Sequence, residues 1–390
     1  MNYIGSKHSL LAEIRGVLAA HGLDRAGGTF LDAFAGTAVV GQLAKAMGFS
    51  TVSNDLQHYS YVLQQCFLVQ DGPPAFAGLH GEIRVPDALV ADYERRARRF
   101  GLLRDRDLAG MGPLVRVLAW LDALPGRAAG FCDAYCEGGS AGRNYFSADN
   151  GARCEAIRDL IAAWEGAGLV TTGESCVLLS SLLESADQVA NTASVYAAFL
   201  KHVKKSARAP LALRIPAIGR AAPGTRHEAH CADIARLVSG FRGRRFDVLY
   251  LDPPYNQRQY NAYYHILETL ARWDLGSFTP RGKTGLRPDE QNSRFCRRPA
   301  AAAALASILD GVAADHVLVS YSNEGLIPED VLREELARRA VAVDFREVAY
   351  KRFRADSDSA VRSYSGDEVR EFLFFARLAP EPQRVPTRAG

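Results

Sequence analysis

The residues whose types and spacing best fit catalytic chemistry are four consecutive ones, Asp252-Pro253-Pro254-Tyr255. They follow an apolar run, residues 246–251, that is rich in strand-forming residues. Two prolines cannot extend a β-ladder, so the pattern predicts that a strand ends at this point. An acid and an aromatic ring would then lie at the carboxyl end of a strand, which is where open α/β sheets bind ligands.

These residue types fit the activation of an exocyclic amine of a nucleobase. Such a nitrogen is a poor nucleophile because its lone pair is delocalised into the ring. An Asp carboxylate and a neighbouring backbone carbonyl can accept the two amine hydrogens, and a Tyr face can stack on the base. A strand-ending turn with an incidental acid is the alternative, because Asp-Pro is common in turns.

A second segment with chemical potential is residues 28–41, which read as a strand, a turn of small residues and the start of a helix. A further short strand ends at Asp55, about 20 residues beyond that turn, the position from which a carboxylate reaches ribose hydroxyls. Ala38 stands where a second glycine of a G-x-G-x-x-G sequence is expected. The unit therefore predicts nucleotide binding without requiring a pyrophosphate.

Composition limits the classes of protein that the chain can represent. With 390 residues and 48% hydrophobic content, it can bury a large core and form two or three domains. The net charge of +3 is no global signature of nucleic-acid binding, so any such surface must be local. The seven cysteines are irregularly spaced and match no zinc pattern, which predicts reduced thiols in a cytosolic protein without a metal site. The N-terminus does not read as a signal peptide and no apolar run is long enough to span a membrane.

Residues 58–223 differ in pattern and are predicted to be mainly helical. Within them a glycine-rich loop carries Arg143, Asn144 and Tyr145. Arg and Asn pair with guanine and adenine edges, so the loop is a candidate base reader, and an ordinary loop without this function is the alternative. A helix is predicted over residues 193–205, and its last residues, Lys201, Lys204 and Lys205, suit either phosphate contacts or the C-terminus of a helix dipole.

The remainder of the chain is predicted to add further strands to the sheet. Strands are predicted at residues 226–233, 316–322, 341–353 and 371–378, with helices between them. Residues 276–299 form a long basic loop, whose Arg294 and neighbouring arginines are candidate phosphate contacts. The proline- and arginine-rich tail, residues 381–390, is predicted to be flexible.

Together these motifs resemble the Dam-type (alpha-group) bacterial DNA amino-methyltransferases, of the adenine-specific class and the restriction-modification type. The resemblance covers nearly the whole chain. It rests on Tyr3-Ile4-Gly5-Ser6-Lys7, on residues 32–37, on Asp55, on Asp233 and on the motif that begins at Asp252. Residues 143–147 and 191–192 also look like recurrent features of this group.

The resemblance implies an α/β fold: a Rossmann-like sheet of an S-adenosylmethionine-dependent methyltransferase with an inserted, mainly helical target-recognition domain. Residues 1–57 and 224–380 would form the catalytic domain, and residues 58–223 would form the inserted DNA-binding domain. Residues 381–390 would be the tail.

The resemblance also implies S-adenosylmethionine as the methyl donor. Asp55 would hold the ribose, Asp233 the adenine amine and Phe34 the adenine ring of the donor. Lys7 would meet the methionine carboxylate with Tyr3 nearby, and Asp32 or Asp252 would favour the sulfonium charge. The expected donor-binding residues are thus Tyr3, Lys7, Asp32, Phe34, Gly36, Thr37, Asp55 and Asp233.

The acceptor and partners implied by the resemblance are more open. The aspartate that begins the catalytic motif favours adenine N6, while cytosine N4 remains an alternative and an RNA methyltransferase or a non-enzymatic DNA-binding protein are further ones. The expected partner is double-stranded DNA, with a separate cognate restriction endonuclease as a candidate. A cytoplasmic, nucleoid-associated bacterial protein is expected.

Overall fold

A computed structural model of the chain describes residues 3–24, 27–102, 110–288, 292–351 and 368–380. The tail at 381–390, predicted to be flexible, lies outside the described residues. Within them, the strands are β1 (Thr29–Asp32), β2 (Ser50–Asp55), β3 (His227–Cys231), β4 (Arg245–Leu251), β5 (Ala313–Ser322), β6 (Ala340–Lys351) and β7 (Glu368–Leu378). The helices are α1 (Leu11–Ala20), α2 (Val39–Ala46), α3 (His58–Gln64), α4 (Asp87–Arg99), α5 (Gly112–Asp122), α6 (Gly130–Tyr135), α7 (Ala148–Gly166), α8 (Thr172–Gln188), α9 (Ile234–Leu237), α10 (Tyr260–Arg272), α11 (Arg298–Gly311) and α12 (Glu329–Ala337).

The strands form one mixed sheet in the order β3-β2-β1-β4-β5-β7-β6. Strands β1 to β5 are parallel, and β7 runs antiparallel between β5 and β6. The chain builds outward from β1 to β3 and then outward again from β4, so the strand order reverses between β1 and β4. Ligands of such sheets bind at the carboxyl ends of the strands at this switch point.

The sheet is covered on both faces, as its apolar strands require. One face packs against α1 and α2, with Phe30 and Tyr250 among the buried residues of the sheet. The other packs against α9, α11 and α12, with Leu249 and Val317 in its core. This layering holds the carboxyl ends of β1, β2 and β4 at a fixed separation.

All helices between β2 and β3 that the structure describes, α3 to α8, share a third core. Local sequence explains the limits of the longest two. Ser147 caps α7 by accepting from the N–H of Asn150, and Thr171 with Glu174 forms a reciprocal capping box at α8. Helix α10, which follows the catalytic strand, packs into this core rather than onto the sheet.

The prediction of a helix over residues 193–205 is wrong. The chain is irregular there and forms only a short 3-10 turn at Lys205–Arg208. Asn191 explains the difference, because its side chain donates to the carbonyl of Leu200 at 3.0 Å and accepts from the N–H of Lys204 at 2.9 Å. The N–H of Tyr196 donates to the carbonyl of Tyr263 at 2.9 Å, so backbone groups that a helix would use are bound elsewhere. Among the described residues no helix has the length and apolar character needed to cross a bilayer.

Candidate active site at the carboxyl ends of the strands

A cavity opens at the switch point of the sheet, and its empty space, including the part open to solvent, is about 1060 Å³. Its walls come from the N-terminal segment, the turns after β1 and β2, the residue pair before α9, the motif after β4 and the segment before α11. All eight residues expected to bind a donor line it: Tyr3, Lys7, Asp32, Phe34, Gly36, Thr37, Asp55 and Asp233. Residues far apart in the sequence therefore meet in one place.

The turn after β1 approaches the N-terminal segment closely. Gly36 has a φ of 53°, and a Cβ atom built on it would lie 2.9 Å from Cε1 of Tyr3. Ala38, at the position where a second glycine was expected, also adopts a left-handed conformation with a φ of 61°. A glycine is thus needed at position 36 both for its backbone angle and for space.

Asp55 ties this turn to the end of β2. One of its carboxylate oxygens accepts from the N–H of Gly36 at 2.9 Å, and the other accepts from the N–H of Gln57 at 2.9 Å. Each oxygen has a second lone pair, so the carboxylate can hold the loop and still accept hydroxyl hydrogens of a ligand. Burial raises the pKa of Asp55 to about 6, although the two backbone donors act against it.

The N-terminal segment crosses the mouth of the sheet and is held by aromatic residues of α10. The ring of Tyr3 stacks on Tyr264 with a centroid distance of 4.8 Å, and the hydroxyl of Tyr264 accepts from the N–H of Ile4 at 2.7 Å. Gly5 has a φ of 78°, and an added Cβ would meet the rings of Tyr255 and Tyr260. This path delivers Lys7 into the cavity.

Lys7 lies between two carboxylates. Its Nζ is 2.9 Å from Oδ1 of Asp252 and 2.8 Å from Oε1 of Glu371, and the three side chains are 4%, 16% and 7% exposed. The hydroxyl of Ser320 donates to the same Glu371 oxygen at 2.9 Å. The group therefore links the N-terminal segment, the motif after β4 and strands β5 and β7.

The cavity carries an excess of acidic groups, and this is visible in their pKa values. Burial, followed by the repulsion of Asp252, raises the pKa of Asp32 to about 8. Burial raises the pKa of Asp252 to about 7, with Lys7 opposing the rise and Glu371 adding to it. Burial lowers the pKa of Lys7, but its two carboxylate partners outweigh burial and hold that pKa above its usual value. The Oδ2 atom of Asp32 is buried without a hydrogen-bond partner.

The four-residue motif after β4 ends the strand as predicted. Asp252, Pro254 and Tyr255 line the cavity, whereas Pro253 is buried behind them and does not. The carbonyl of Tyr255 accepts from the N–H of Leu326 at 3.1 Å, and its ring meets Tyr321 edge to face. These contacts fix the turn and present the aromatic ring to the cavity.

The remaining walls are partly aromatic. Phe34 lines the cavity and meets Phe295 edge to face at a centroid distance of 5.0 Å. Asp233 caps α9 by accepting from the N–H of Ala235 at 2.9 Å. Arg294, predicted as a phosphate contact, is exposed and lies at this wall of the cavity.

Two of the predicted base-reading residues do not lie where that prediction needs them. Arg143 is buried, and its guanidinium donates to the carbonyls of Ala134, Gly282 and Lys283. Tyr145 is fully buried and its hydroxyl contacts the carbonyls of Tyr196 and Thr284. As a correction, both side chains are therefore internal: they pack a loop onto the hairpin at residues 281–286 and are not placed at the surface to read base edges.

The other predicted DNA contacts are closer to solvent. Asn144 is half-buried and its amide donates to the carbonyl of Lys201 at 3.0 Å. Lys201 and Lys205 are exposed, whereas the Nζ of Lys204 donates to the carbonyl of Thr192 at 2.7 Å. Lys201 and Lys205 are thus better placed than Lys204 to contact phosphate.

Sequence reasoning did not single out Glu371 or Tyr260. Glu371 lies in β7 directly before the apolar run 372–376, where the sequence gives no sign that its carboxylate is buried. Tyr260 lines the cavity at the start of α10, five residues after Tyr255, and reads in the sequence as an ordinary helix residue.

Comparisons with known proteins agree with this geometry. A family model described as "D12 class N6 adenine-specific DNA methyltransferase" matches residues 3–333. The chain is 34% identical to type II methyltransferase M.NlaIII of Neisseria lactamica over 96% of this chain and 98% of the relative. It is 31% identical to type II methyltransferase M.CviAII of Paramecium bursaria Chlorella virus 1, covering 97% and 98% of the two chains. It is also 29% identical to type II methyltransferase M.FokI of Planomicrobium okeanokoites, of which it spans only about half, 52%.

Proposed function

Because the chain belongs to the D12 class of N6 adenine-specific DNA methyltransferases, we propose that its cavity binds S-adenosylmethionine and that Asp252 activates the adenine amine. The observation that supports this most directly is the meeting of Lys7, Asp32, Asp55 and Asp252 in one cavity at the switch point of the sheet. The enzyme is a site-specific adenine DNA methyltransferase, and the family description names adenine, so the cytosine alternative is not carried further.

The electrostatics of the cavity suit a cationic donor. Asp32 keeps a buried oxygen without a partner, and its pKa is raised by burial and by the neighbouring Asp252. A ligand that brings a positive charge relieves both the missing contact and the repulsion. When bound, S-adenosylmethionine supplies an electrophilic methyl group on a sulfonium centre.

The residues around the cavity divide the binding between them. Asp55 has lone pairs left for ribose hydroxyls, and Phe34 offers a ring for the adenine of the donor. Asp233 also lines the cavity and is assigned to the adenine amine. The close approach of Gly36 and Tyr3 leaves no room for a side chain at position 36 beside the cavity.

The chemistry assigned to Asp252 follows from its contacts. Its Oδ1 atom is held by Lys7, which fixes the carboxylate and leaves the second oxygen for a hydrogen of the target amine. A backbone carbonyl of the motif accepts the other hydrogen, so that the nitrogen lone pair points at the methyl group. Tyr255 offers its ring for stacking on the adenine, which must leave the duplex to reach the cavity.

We assign the reading of duplex DNA to the helical part between β2 and β3. Its surface offers Asn144, Lys201 and Lys205, and Arg294 lies at the cavity itself. The amide of Asn144 suits hydrogen bonds with base edges, whereas the cations of Lys201, Lys205 and Arg294 suit contacts with phosphates. As in other restriction-modification systems, a separate endonuclease of the same sequence specificity is the proposed partner.

The test is the variant Asp252→Ala, with genomic DNA that lacks the modification as substrate. We expect transfer of labelled methyl groups to adenine N6 to be lost, while calorimetry gives a donor affinity within a few fold of the parent enzyme. A transition-state contact changes turnover rather than donor binding. Near-normal turnover by this variant would overturn the assignment.

A further inference from the structure

A buried carboxylate in β7 extends the active site beyond the residues that the family model matches. Those residues end at 333, and Glu371 lies outside them. Its Oε1 atom is 2.8 Å from Nζ of Lys7, and its side chain is 7% exposed. The hydroxyl of Ser320, in β5, donates to the same oxygen at 2.9 Å. Glu371 is therefore positioned from the sheet and gives the ammonium a second carboxylate partner besides Asp252.

The charges of this group do not cancel. One ammonium lies between two carboxylates, so the three side chains carry one net negative charge when all are ionised. With Lys7 and Asp252 alone, the pair would be neutral and the ammonium would bind Asp252 without competition. Glu371 draws part of the ammonium's hydrogen bonding away from Asp252 and adds the uncompensated negative charge.

That charge matters for the proposed reaction. As the amine nitrogen bonds to the methyl carbon, the carbon–sulfur bond breaks, and positive charge moves from sulfur to nitrogen. The nitrogen then passes a proton to the Asp252 carboxylate and from there to solvent. A fixed negative charge near the acceptor stabilises that nitrogen, and a carboxylate that is less fully paired is a better hydrogen-bond acceptor. Resting on the function proposed above, we propose that Glu371 is a positioning residue for methyl transfer, which holds Lys7 and keeps Asp252 an effective acceptor.

Several ionisable groups, including Lys7 and Glu371, face Asp252 and must be considered in any pH experiment. They come from each element packed around it: Lys7, Asp32, Tyr250, Tyr255, Tyr260 and Glu371. Of the two that act on Asp252 most strongly, Lys7 lowers its pKa and Glu371 raises it. Asp252 must be ionised to accept the amine hydrogen, so activity is lost as the pH falls through its pKa.

The variant Glu371→Gln keeps the shape of the side chain and removes its charge. We expect the plateau of the single-turnover rate to fall about 10-fold to 100-fold, the range for losing a hydrogen bond to a charged group. We also expect the acidic limb of the pH–rate profile to move to lower pH, because the group that raises the pKa of Asp252 is gone. A loss of structure alone would lower the rate without moving this limb.

Glu347→Gln is the matched control, because Glu347 lies on the neighbouring strand β6, is half-exposed and pairs with Arg370. We expect it to leave both the plateau and the limb unchanged. Glu371→Asp keeps the charge but shortens the side chain by one methylene group. We therefore expect the acidic limb of the pH–rate profile to stay in place and the plateau to fall less than in Glu371→Gln. Glu371→Asp also serves as the test if Glu371→Gln does not fold. In that case, a parental plateau together with a shifted acidic limb of the pH–rate profile would contradict the proposal.

A parental profile in Glu371→Gln overturns the inference. If Asp252→Ala is inactive in the same assay, only the role of Glu371 is lost and the proposed function stands. If Asp252→Ala remains active, the proposed function itself fails, whatever the behaviour of Glu371→Gln.

Discussion

At the scale of single residues, the site concentrates carboxylates where the fold gives them little solvent. Asp32, Asp55 and Asp252 lie at the ends of three adjacent strands, and burial is the largest cause of the raised pKa of each. Lys7 offsets only part of this charge, because it is shared with Glu371. Ionising these three carboxylates therefore costs free energy as long as no cation is bound in the cavity.

This cost predicts how the stability of the ligand-free enzyme depends on pH. An unfolded Asp titrates at about 3.9, so a folded pKa above that value gives stability that is lost as the pH rises. For Asp32 the contribution is fully present below the unfolded pKa and is lost as the pH rises through about 8. Asp252 and Asp55 act in the same direction, through about 7 and about 6.

We therefore expect the melting temperature without ligand to fall as the pH is raised from about 4 to about 8, and Asp32→Asn to make this slope shallower. Differential scanning calorimetry across that range measures it. Asp310→Asn is the control, because Asp310 is exposed and pairs with Arg339, so the slope should be unchanged. A slope in Asp32→Asn equal to that of the parent would contradict the buried-charge interpretation.

At the scale of elements, a hairpin after α10 connects the helical part to the active site. Arg281 and Leu286 pair through their backbones and close this hairpin. Backbone carbonyls of the hairpin are contacted by the side chains of Tyr135, Arg143, Tyr145 and His265. The chain then continues to Ser293 and Arg294 at the cavity. Arg143 is the only one of these four side chains that supplies more than one donor to the hairpin, through its contacts with Gly282 and Lys283.

Replacement of Arg143 by Ala should therefore act on stability. It removes three part-buried hydrogen bonds from a charged donor at once, and each such bond contributes about 1 kcal/mol or more, so we expect a loss of roughly 2–4 kcal/mol. Urea unfolding measures it, and Arg98→Ala is the control because Arg98 is exposed on α4. An Arg143→Ala variant of parental stability that loses affinity only for its specific DNA site would restore the base-reading role.

At the scale of the whole molecule, the net charge of +3 offers no general attraction to DNA. Binding must then come from local cations, and Lys201 and Lys205 are exposed on the loop that Asn144 and Asn191 hold in place. These lysines lie in the helical part, whereas Arg294 lies at the cavity, and we propose that DNA bound at the active site contacts cations of both parts.

The double variant Lys201→Ala with Lys205→Ala should weaken binding to specific and random duplexes alike. Each lost phosphate contact should reduce the slope of log affinity against log salt by about one unit. Fluorescence anisotropy at several salt concentrations gives this slope. Arg338→Ala serves as the control, since Arg338 is an exposed cation that directly follows α12. Weakening confined to the specific duplex would assign these lysines to base reading instead.

The sequence by itself determined the local elements and the chemistry of the site. Strand-forming runs that end in Asp32, Asp55 and Asp252 are local features, and the two prolines after Asp252 fix where the third run stops. Because parallel strands share one edge of the sheet, these acids could be expected together, and all three line the cavity. The predicted sheet and the helices of the region after β2 follow from the same periodicity.

Only the tertiary structure decided which polar side chains are used internally. Arg143 has the composition of a base reader, but its burial depends on a hairpin about 140 residues away in the chain, as the separation of its partner Lys283 shows. Residues 193–205 have helical composition, yet contacts from Asn191 and the carbonyl of Tyr263 hold the chain in an irregular path. Glu371 joins the active site because β7 inserts antiparallel beside β5, a pairing that no local pattern specifies. Local sequence sets propensity, whereas long-range packing and hydrogen bonding set which groups remain exposed to bind or react.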